Sequence, residues 1–406
     1  MSSPVSYPAP VDATTVVTAV LGFAEAELLA FRRDLHAHPE LSWQEARTTE
    51  QVALRLEALG MRVRRLPRSG LIAEVGDSGP VVALRGDLDA LPVQDLTTDP
   101  WVSTVPGVSH ACGHDVHTTA LLGAGMALAA VHDAGLLAGR VRLLFQPAEE
   151  VMPGGALDLV SLGALDDVSH VFGLHCDPSI DVGQVGLREG PLTGAADLLR
   201  IELLGKGGHT SRPHLTQDLT FALGKLVTEL PAILSRRLDP RAGASVVWGM
   251  LHAGSAPNVI PSTGNLTGTV RMLDAVAWAE AEVLVRQLVR QIVDPYGIVA
   301  EITYQRGVPP VVNDHRSTGL LAKAVESVVG QVGHVPTQQS LGGEDFGWYL
   351  AQVPGAMGRL GTRTPGGPTY DLHQGDLRVD EAALRIGAEV LAQAAVEALN
   401  AHQPAR

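Results

Sequence analysis

Basic residues are the first shortage in this chain of 406 residues, where 30 lysines and arginines stand against 44 aspartates and glutamates for a formal charge of -14. No lysine or arginine run appears, which argues against a nucleic-acid partner, because a phosphate backbone is bound through clustered cations. An anionic substrate would have to be met by a few local cations. Cysteine is scarcer still, with only Cys112 and Cys176. Each lies close to a histidine, and a chain of this size needs no covalent staple, so metal binding or free thiols are expected rather than a disulfide. Long apolar runs are missing too. Residues 16–31 include Glu25 and Glu27, follow no basic segment and end without a small-residue cleavage site. They read as an amphipathic helix, and no stretch approaches the ~18 apolar residues of a membrane span. A reducing cytoplasm is the expected location.

The length suits two or three domains of ~150 residues, and 45% hydrophobic content is normal for a folded chain. The opening dozen residues, with Pro4, Pro8 and Pro10, read as a loose arm. Helical patterns at 24–36, 43–59 and 118–130 alternate with strand-like runs at 81–84, 141–145 and 171–174, which predicts an α/β layer with a largely parallel sheet. From about Gly190 the pattern changes. Strands at 198–204, 245–251 and 264–272 and helices at 216–234 and 275–293 form a smaller α+β module inserted into the first domain. The expected organisation is a first segment over 1–189, an insert over 190–306, and a completing segment over 307–406 with helices at 317–329 and 381–399. Gly190-Pro191 and Pro309-Pro310 are the hinges.

Between positions 110 and 117 the chain gathers His110, Cys112, His114 and His117. Gly113 alone separates Cys112 from His114, so in an extended or turning backbone both can reach one transition-metal ion. His117 enters the next helix and reads as a supporting residue. In a parallel sheet, ligands gather beyond the carboxyl ends of strands. Asp87 and Asp89 follow the run at 81–84, Glu149 and Glu150 that at 141–145, and His175 that at 171–174. Asp87 and Asp89 share a strand face and suit the orienting of metal ligands. Glu149 and Glu150, adjacent in an extended segment, point opposite ways, so one carboxylate could bind metal while the other faces water or substrate. For His175, a buried hydrogen-bonded histidine is an equally good account. His36 and His38 share no helical face and read as capping or packing groups.

The insert has its own signals. The turn Gly205-Lys206-Gly207-Gly208-His209-Thr210-Ser211 presents His209, Ala256-Pro257-Asn258 presents Asn258, and Arg271 closes a strand. No GKS or GKT follows, which removes a phosphate loop. His209, Asn258 and Arg271 together would suit an anionic carboxylate and a developing oxyanion.

Taken together, Asp34-Leu35-His36-Ala37-His38-Pro39-Glu40-Leu41, Arg85-Gly86-Asp87-Leu88-Asp89-Ala90-Leu91-Pro92, the cysteine-histidine cluster, Gln146-Pro147-Ala148-Glu149-Glu150, the His209 turn, Asn258-Val259-Ile260-Pro261 and Gly342-Gly343-Glu344-Asp345-Phe346 carry a resemblance. In that order they resemble the amidohydrolase branch of the aminoacylase and carboxypeptidase metallopeptidases, which includes hippurate hydrolases, indole-acetyl-amino-acid hydrolases and N-acetyl-diaminopimelate deacetylases. The match covers nearly the whole chain. It implies an α/β metallopeptidase domain with a mixed, mostly parallel sheet, and makes the insert a lid that often dimerises. It also implies two divalent ions, zinc or manganese first and cobalt or nickel next, held by Cys112, His114, Glu150, His175 and His373. Glu149 would be the general base and acid, Asp87 and Asp89 would stand behind the ligands, His209 would act in its own or a partner's site, and Asn258 and Arg271 would hold the substrate. His373 enters through the resemblance alone. After it come Gln374-Gly375-Asp376, where relatives usually carry proline and an aromatic residue.

The expected reaction is hydrolysis of the amide bond of an N-acyl amino acid by a homodimer or higher homo-oligomer with no nucleic-acid or membrane partner. A dipeptidase or carboxypeptidase would use the same residues. A non-catalytic metal-binding or peptide-binding protein is the reading from another class, and Glu149 separates the two, because a closed structural site needs no spare base. Aromatic content of 4% provides no clear pocket for an indole or benzoyl group.

Overall fold

The computed structural model describes residues 12–402, so the proline-bearing stretch expected to be a loose arm lies outside the described residues. The chain divides into two compact units. The first runs to Gly190 and takes up residues 313–337 and those from Tyr349 onward; the second holds residues 191–312 and 338–348. Arg306, the expected end of the insert, falls inside the strand Val299–Val308, so the second unit continues past it.

An eight-stranded mixed sheet forms the first unit. In spatial order its strands are Arg62–Arg65, Leu71–Val75, Arg140–Gln146, Val81–Asp87, Val168–Asp181, Gly355–Arg363, Val185–Leu187 and His334–Pro336. The middle pairings, from Arg140–Gln146 through Gly355–Arg363, are parallel, the pairs flanking them are antiparallel, and the last pair, Val185–Leu187 with His334–Pro336, is parallel again. Every residue of Val81–Asp87 is buried, as expected of a central parallel strand covered on both faces. Helices Ala13–Ala37, His114–Asp133, His315–Gly333 and Ala382–Asn400 pack on one another and on these strands.

Several element boundaries differ from the sequence reading. The first helix begins at Ala13, because the Asp12 carboxylate caps it by accepting the Thr15 amide at 2.8 Å. By length and composition this helix could cross a membrane, contrary to expectation. Its stripe of Val17, Leu21, Leu28, Phe31 and Leu35 is nevertheless buried in the core against His114–Asp133 and Ala382–Asn400. The second helix, Ala46–Ala58, starts three residues later than expected, since Trp43 sits at φ 66°. The third begins at His114 rather than 118. The strand Val168–Asp181 runs on past 174, which puts His175 inside it.

The second unit is a four-stranded antiparallel sheet in the order Ser245–Ala253, Thr263–Met272, Ala195–Leu204, Val299–Val308. Helices Leu219–Arg237 and Ala275–Val293 pack against it. Their apolar positions, including Leu223, Leu226, Leu230, Val285 and Leu288, meet Leu199, Ile201, Leu203, Leu266 and Val270 in a separate core. Burying one such side chain contributes roughly 1.5–3 kcal/mol.

Candidate metal centre

Within the first unit, two trios of potential ligand atoms share the thiol of Cys112. Cys112, His114 and His175 form one, and Cys112, Glu150 and His373 the other, each with ligand atoms within 4.8 Å of one another. Four different parts of the chain supply them, Glu150 coming from the loop after the strand Arg140–Gln146. Gly113, at φ 82°, ends the cysteine loop and caps the helix that starts with His114, so Cys112 and His114 lie on either side of a sharp turn. A Cβ at Gly113 would come 2.9 Å from Cys176 Sγ, so this turn admits only glycine. His175 comes from the Val168–Asp181 strand, and its Nε2 lies 3.6 Å from Cys112 Sγ. His373 is brought in by its backbone: its amide donates to the Ala111 carbonyl at 2.7 Å, and its own φ of 63° is unusual for a residue with a Cβ.

The imidazoles are turned by their other nitrogens. His114 Nδ1 lies 3.2 Å from Asp89 Oδ1, which aims Nε2 into the cluster. His175 Nδ1 is 2.8 Å from the Cys176 carbonyl and so carries the proton, leaving Nε2 as a lone-pair donor. His114 Nε2 and Glu150 Oε1 are buried with no hydrogen-bond partner. Their separation of 3.7 Å, and that of 3.4 Å between His373 Nε2 and Glu150 Oε1, are close approaches without hydrogen-bond geometry. Buried polar atoms converging without bonding to each other are what cations between them would satisfy. The donor set of thiol, imidazole and carboxylate fits divalent transition ions.

The local field is negative. Burial alone would lower the His114 pKa, but Asp87, Cys112 and Asp89 outweigh it and hold it well above the usual range. Burial, joined by Arg359 and His117, keeps His175 well below its usual range and therefore neutral, the form that ligates metal. Burial pushes the Cys112 thiol up, so in this pocket the thiolate needs a cation.

Glu149 stands beside the cluster, its Oε2 4.0 Å from His114 Nε2. The pair Glu149-Glu150 occupies a turn rather than the extended segment expected, because Ala148 takes φ 54°. The two glutamate amides donate to opposite oxygens of Asp89, at 3.1 and 3.0 Å. Asp89 thus orients both His114 and the glutamate loop. Asp87 serves a different partner: it lies 2.6 Å from His117 Nδ1, while His117 Nε2 accepts the Cys176 amide at 2.8 Å. His36, expected to cap or pack, is buried between Asp115 at 2.8 Å and Asp95 at 3.3 Å, whereas His38 Nδ1 bonds the Asp34 carbonyl at the helix end. The charged network of Arg32, His36 and Asp115 beneath the cluster has no motif spacing by which the sequence could have announced it. Both cysteines are free thiols.

In the second unit, His209 and Asn258 come together. The short strands Gly208–His209 and Val259–Ile260 pair, and the Thr210 amide donates to the Asn258 carbonyl at 3.2 Å. Arg271 comes from a different strand. It lies near the Met272 end of the strand Thr263–Met272, roughly 26 Å along that strand from Thr263 at about 3.3 Å per residue, and its guanidinium donates to the Leu341 carbonyl.

The model for peptidase family M20/M25/M40 matches residues 83–397. An N-acetyl-L-cysteine deacetylase of Bacillus subtilis is 37% identical over 389 residues, covering 95% of this chain and 91% of that protein. A solved dinuclear metal-binding peptidase of the M20 family, also from Bacillus subtilis, superposes with a TM-score of 0.81 at 34% identity, covering 93% of this chain and 99% of that one. A Rhodococcus jostii protein named as a glutamate–cysteine ligase is 48% identical over 369 residues, 90% of this chain, but the chain spans only 46% of its length. The chain therefore belongs to peptidase family M20/M25/M40.

Proposed function

We propose that this protein hydrolyses the amide bond of N-acyl amino acids at a two-metal centre, releasing a carboxylic acid and a free amino acid. The observation that carries the reading is the pair of ligand trios meeting at Cys112, with Glu149 beside them. Cys112, His114, Glu150, His175 and His373 hold two divalent ions, zinc or manganese. Such ions, when bound, acidify water and polarise a carbonyl. Glu149 lies outside the ligand set and is the residue that takes a proton from the attacking water and returns it to the departing amine. Asp89 holds the Glu149 and Glu150 amides and His114 in one frame, so base and ligands keep their spacing. The name of the Bacillus deacetylase supports an N-acyl amino acid as substrate.

His209 stabilises the oxyanion, and Asn258 and Arg271 hold the substrate carboxylate and its surroundings. Arg271 stands on a different strand from the His209 turn, near the Met272 end, where its guanidinium donates to the Leu341 carbonyl. In a homodimer, His209 and Asn258 act in the partner's site. The outer strand Ser245–Ala253 supports such pairing: its far edge meets no described strand, and Val247, Met250 and Leu251 on it are exposed.

The test is purified protein stripped with chelator, reloaded with zinc, manganese, cobalt or nickel, and assayed on acetyl, benzoyl and longer acyl amino acids and on dipeptides. Metal-dependent release of the free amino acid from acyl substrates, abolished by Glu149→Ala with metal content kept, is the expected result. Full metal occupancy with no turnover of any substrate would refute the enzyme reading, and preference for dipeptides would move it to a peptidase.

A further inference from the structure

Glu45 lies far from the metal cluster in sequence, belongs to no ligand trio, and is completely buried. A buried carboxylate is costly unless it is fully hydrogen-bonded, so its partners indicate what it is kept for. One oxygen, Oε1, accepts the amide of Ala148 at 2.8 Å, and the other accepts the Ser69 hydroxyl at 2.6 Å. Ala148 is the residue before Glu149 and has φ 54°, a left-handed conformation that costs an alanine free energy and persists only where its surroundings enforce it.

Counted along the loop, three successive amides are captured by buried carboxylates. Ala148 donates to Glu45, Glu149 to Asp89 Oδ1 and Glu150 to Asp89 Oδ2. The same short segment as Glu45 also braces Asp89, since the Ser42 hydroxyl donates to Asp89 Oδ2 at 2.7 Å. Thr49 completes the fastening: its hydroxyl bonds the Glu45 carbonyl and accepts the Gly70 amide at 2.7 Å.

We propose that Glu45 is a positioning residue which enforces the left-handed turn at Ala148 and so sets the aim of Glu149, while Asp89 holds the Glu150 amide. This rests on the reading of Glu149 as the proton-transferring base. Without an acceptor for its amide, Ala148 relaxes toward ordinary φ values and the carboxylate of the next residue, Glu149, swings away from its working place. A displacement of about 1 Å at such a group costs on the order of 100-fold in rate. Glutamine at this position keeps the oxygen that accepts the Ala148 amide and offers an amide that the Ser69 hydroxyl can accept.

The experiment compares Glu45→Gln, Glu45→Asp and Glu45→Ala as metal-loaded full-length protein. It reads kcat, KM, bound metal, and amide hydrogen exchange of the segment spanning residues 146–152. Alanine and aspartate, the latter too short to reach, are expected to lower kcat about 10- to 100-fold with KM and metal content kept, and to speed exchange of that segment. Glutamine is expected to restore both. Wild-type kcat and exchange in Glu45→Ala, or a glutamine variant as impaired as alanine, would overturn the proposal. If alanine fails to fold, the aspartate–glutamine comparison decides. If the wild-type protein turns over no acyl amino acid, the proposed function fails by itself, while the exchange measurement still decides whether Glu45 holds the turn.

Discussion

The amide of His373 donates to the carbonyl of Ala111 across 2.7 Å, joining the last part of the chain to the cysteine loop beside Cys112. A single backbone bond places the histidine from the C-terminal segment next to the candidate ligands of a distant motif. Replacing His373 with alanine should keep the fold, because the bond belongs to the backbone and the side chain is half exposed. Bound metal is expected to fall from two ions toward one per chain, with activity down more than about 100-fold. Metal analysis by mass spectrometry checks this, and a variant holding two ions tightly would remove His373 from the ligand set.

Gly113→Ala should destabilise the protein strongly. The substitution imposes a left-handed φ on alanine and drives its Cβ to 2.9 Å from Cys176 Sγ. Roughly 2–4 kcal/mol is expected, read by chemical denaturation. Adding Cys176→Ala should recover the part of the steric share due to the sulfur, since its Cβ, 3.0 Å from the added Cβ, remains, and leave the backbone share, so a double variant as unstable as the single one would contradict this account.

Mixing inactive variants tests where His209 works. Glu149→Ala and His209→Ala, refolded or exchanged together, yield some heterodimers in which one subunit keeps Glu149 and its partner keeps His209. If His209 serves the partner's site, hydrolysis should return to as much as about a quarter of wild type, since half of the dimers are mixed and each has one complete site. No recovery, with heterodimers demonstrated by mass, would place His209 in its own subunit's site.

Asp95→Asn should reveal an acid-labile part of the fold. Burial opposes ionisation of Asp95, but His36 and the amides of Ser103 and Thr97 hold its carboxyl below the usual carboxylate range. A depressed folded pKa contributes stability that is present above the unfolded value of 3.8 and lost as pH falls through the folded one. The variant should therefore be less stable than wild type by about 1–3 kcal/mol at pH 7, the gap closing below pH ~4. A gap independent of pH would show that the charge of Asp95 is not what matters.

The elements the sequence left unmarked have physical reasons for their silence. The strand Arg62–Arg65 sits at the edge of its sheet and is mostly exposed and cationic, so no apolar alternation announces it. Gly355–Arg363, in the middle of the same sheet, contains glycines and no β-branched residue except Thr362, and forms only because Val168–Asp181 and Val185–Leu187 flank it. Propensity is a weak guide where neighbouring strands supply the hydrogen bonds. The helix Ala13–Ala37, by contrast, is legible in the sequence over 16–36, and only its first turn goes unmarked.

The sequence by itself determined which residues could carry chemistry. Thiol, imidazole and carboxylate are the side chains that hold transition ions or move protons, and His110 through His117 and Glu149-Glu150 display them at close spacing. It also determined the alternation of helix and strand, because burial periodicity is local. Only the tertiary structure decided how those residues divide their work. Asp89 spans His114 and two amides, His373 arrives through Ala111, Glu45 reaches Ala148, and Arg271 reaches Leu341. Each is a contact between residues distant in the chain, fixed by the pairing of strands and the closing of loops, and spacing along a sequence holds no record of that.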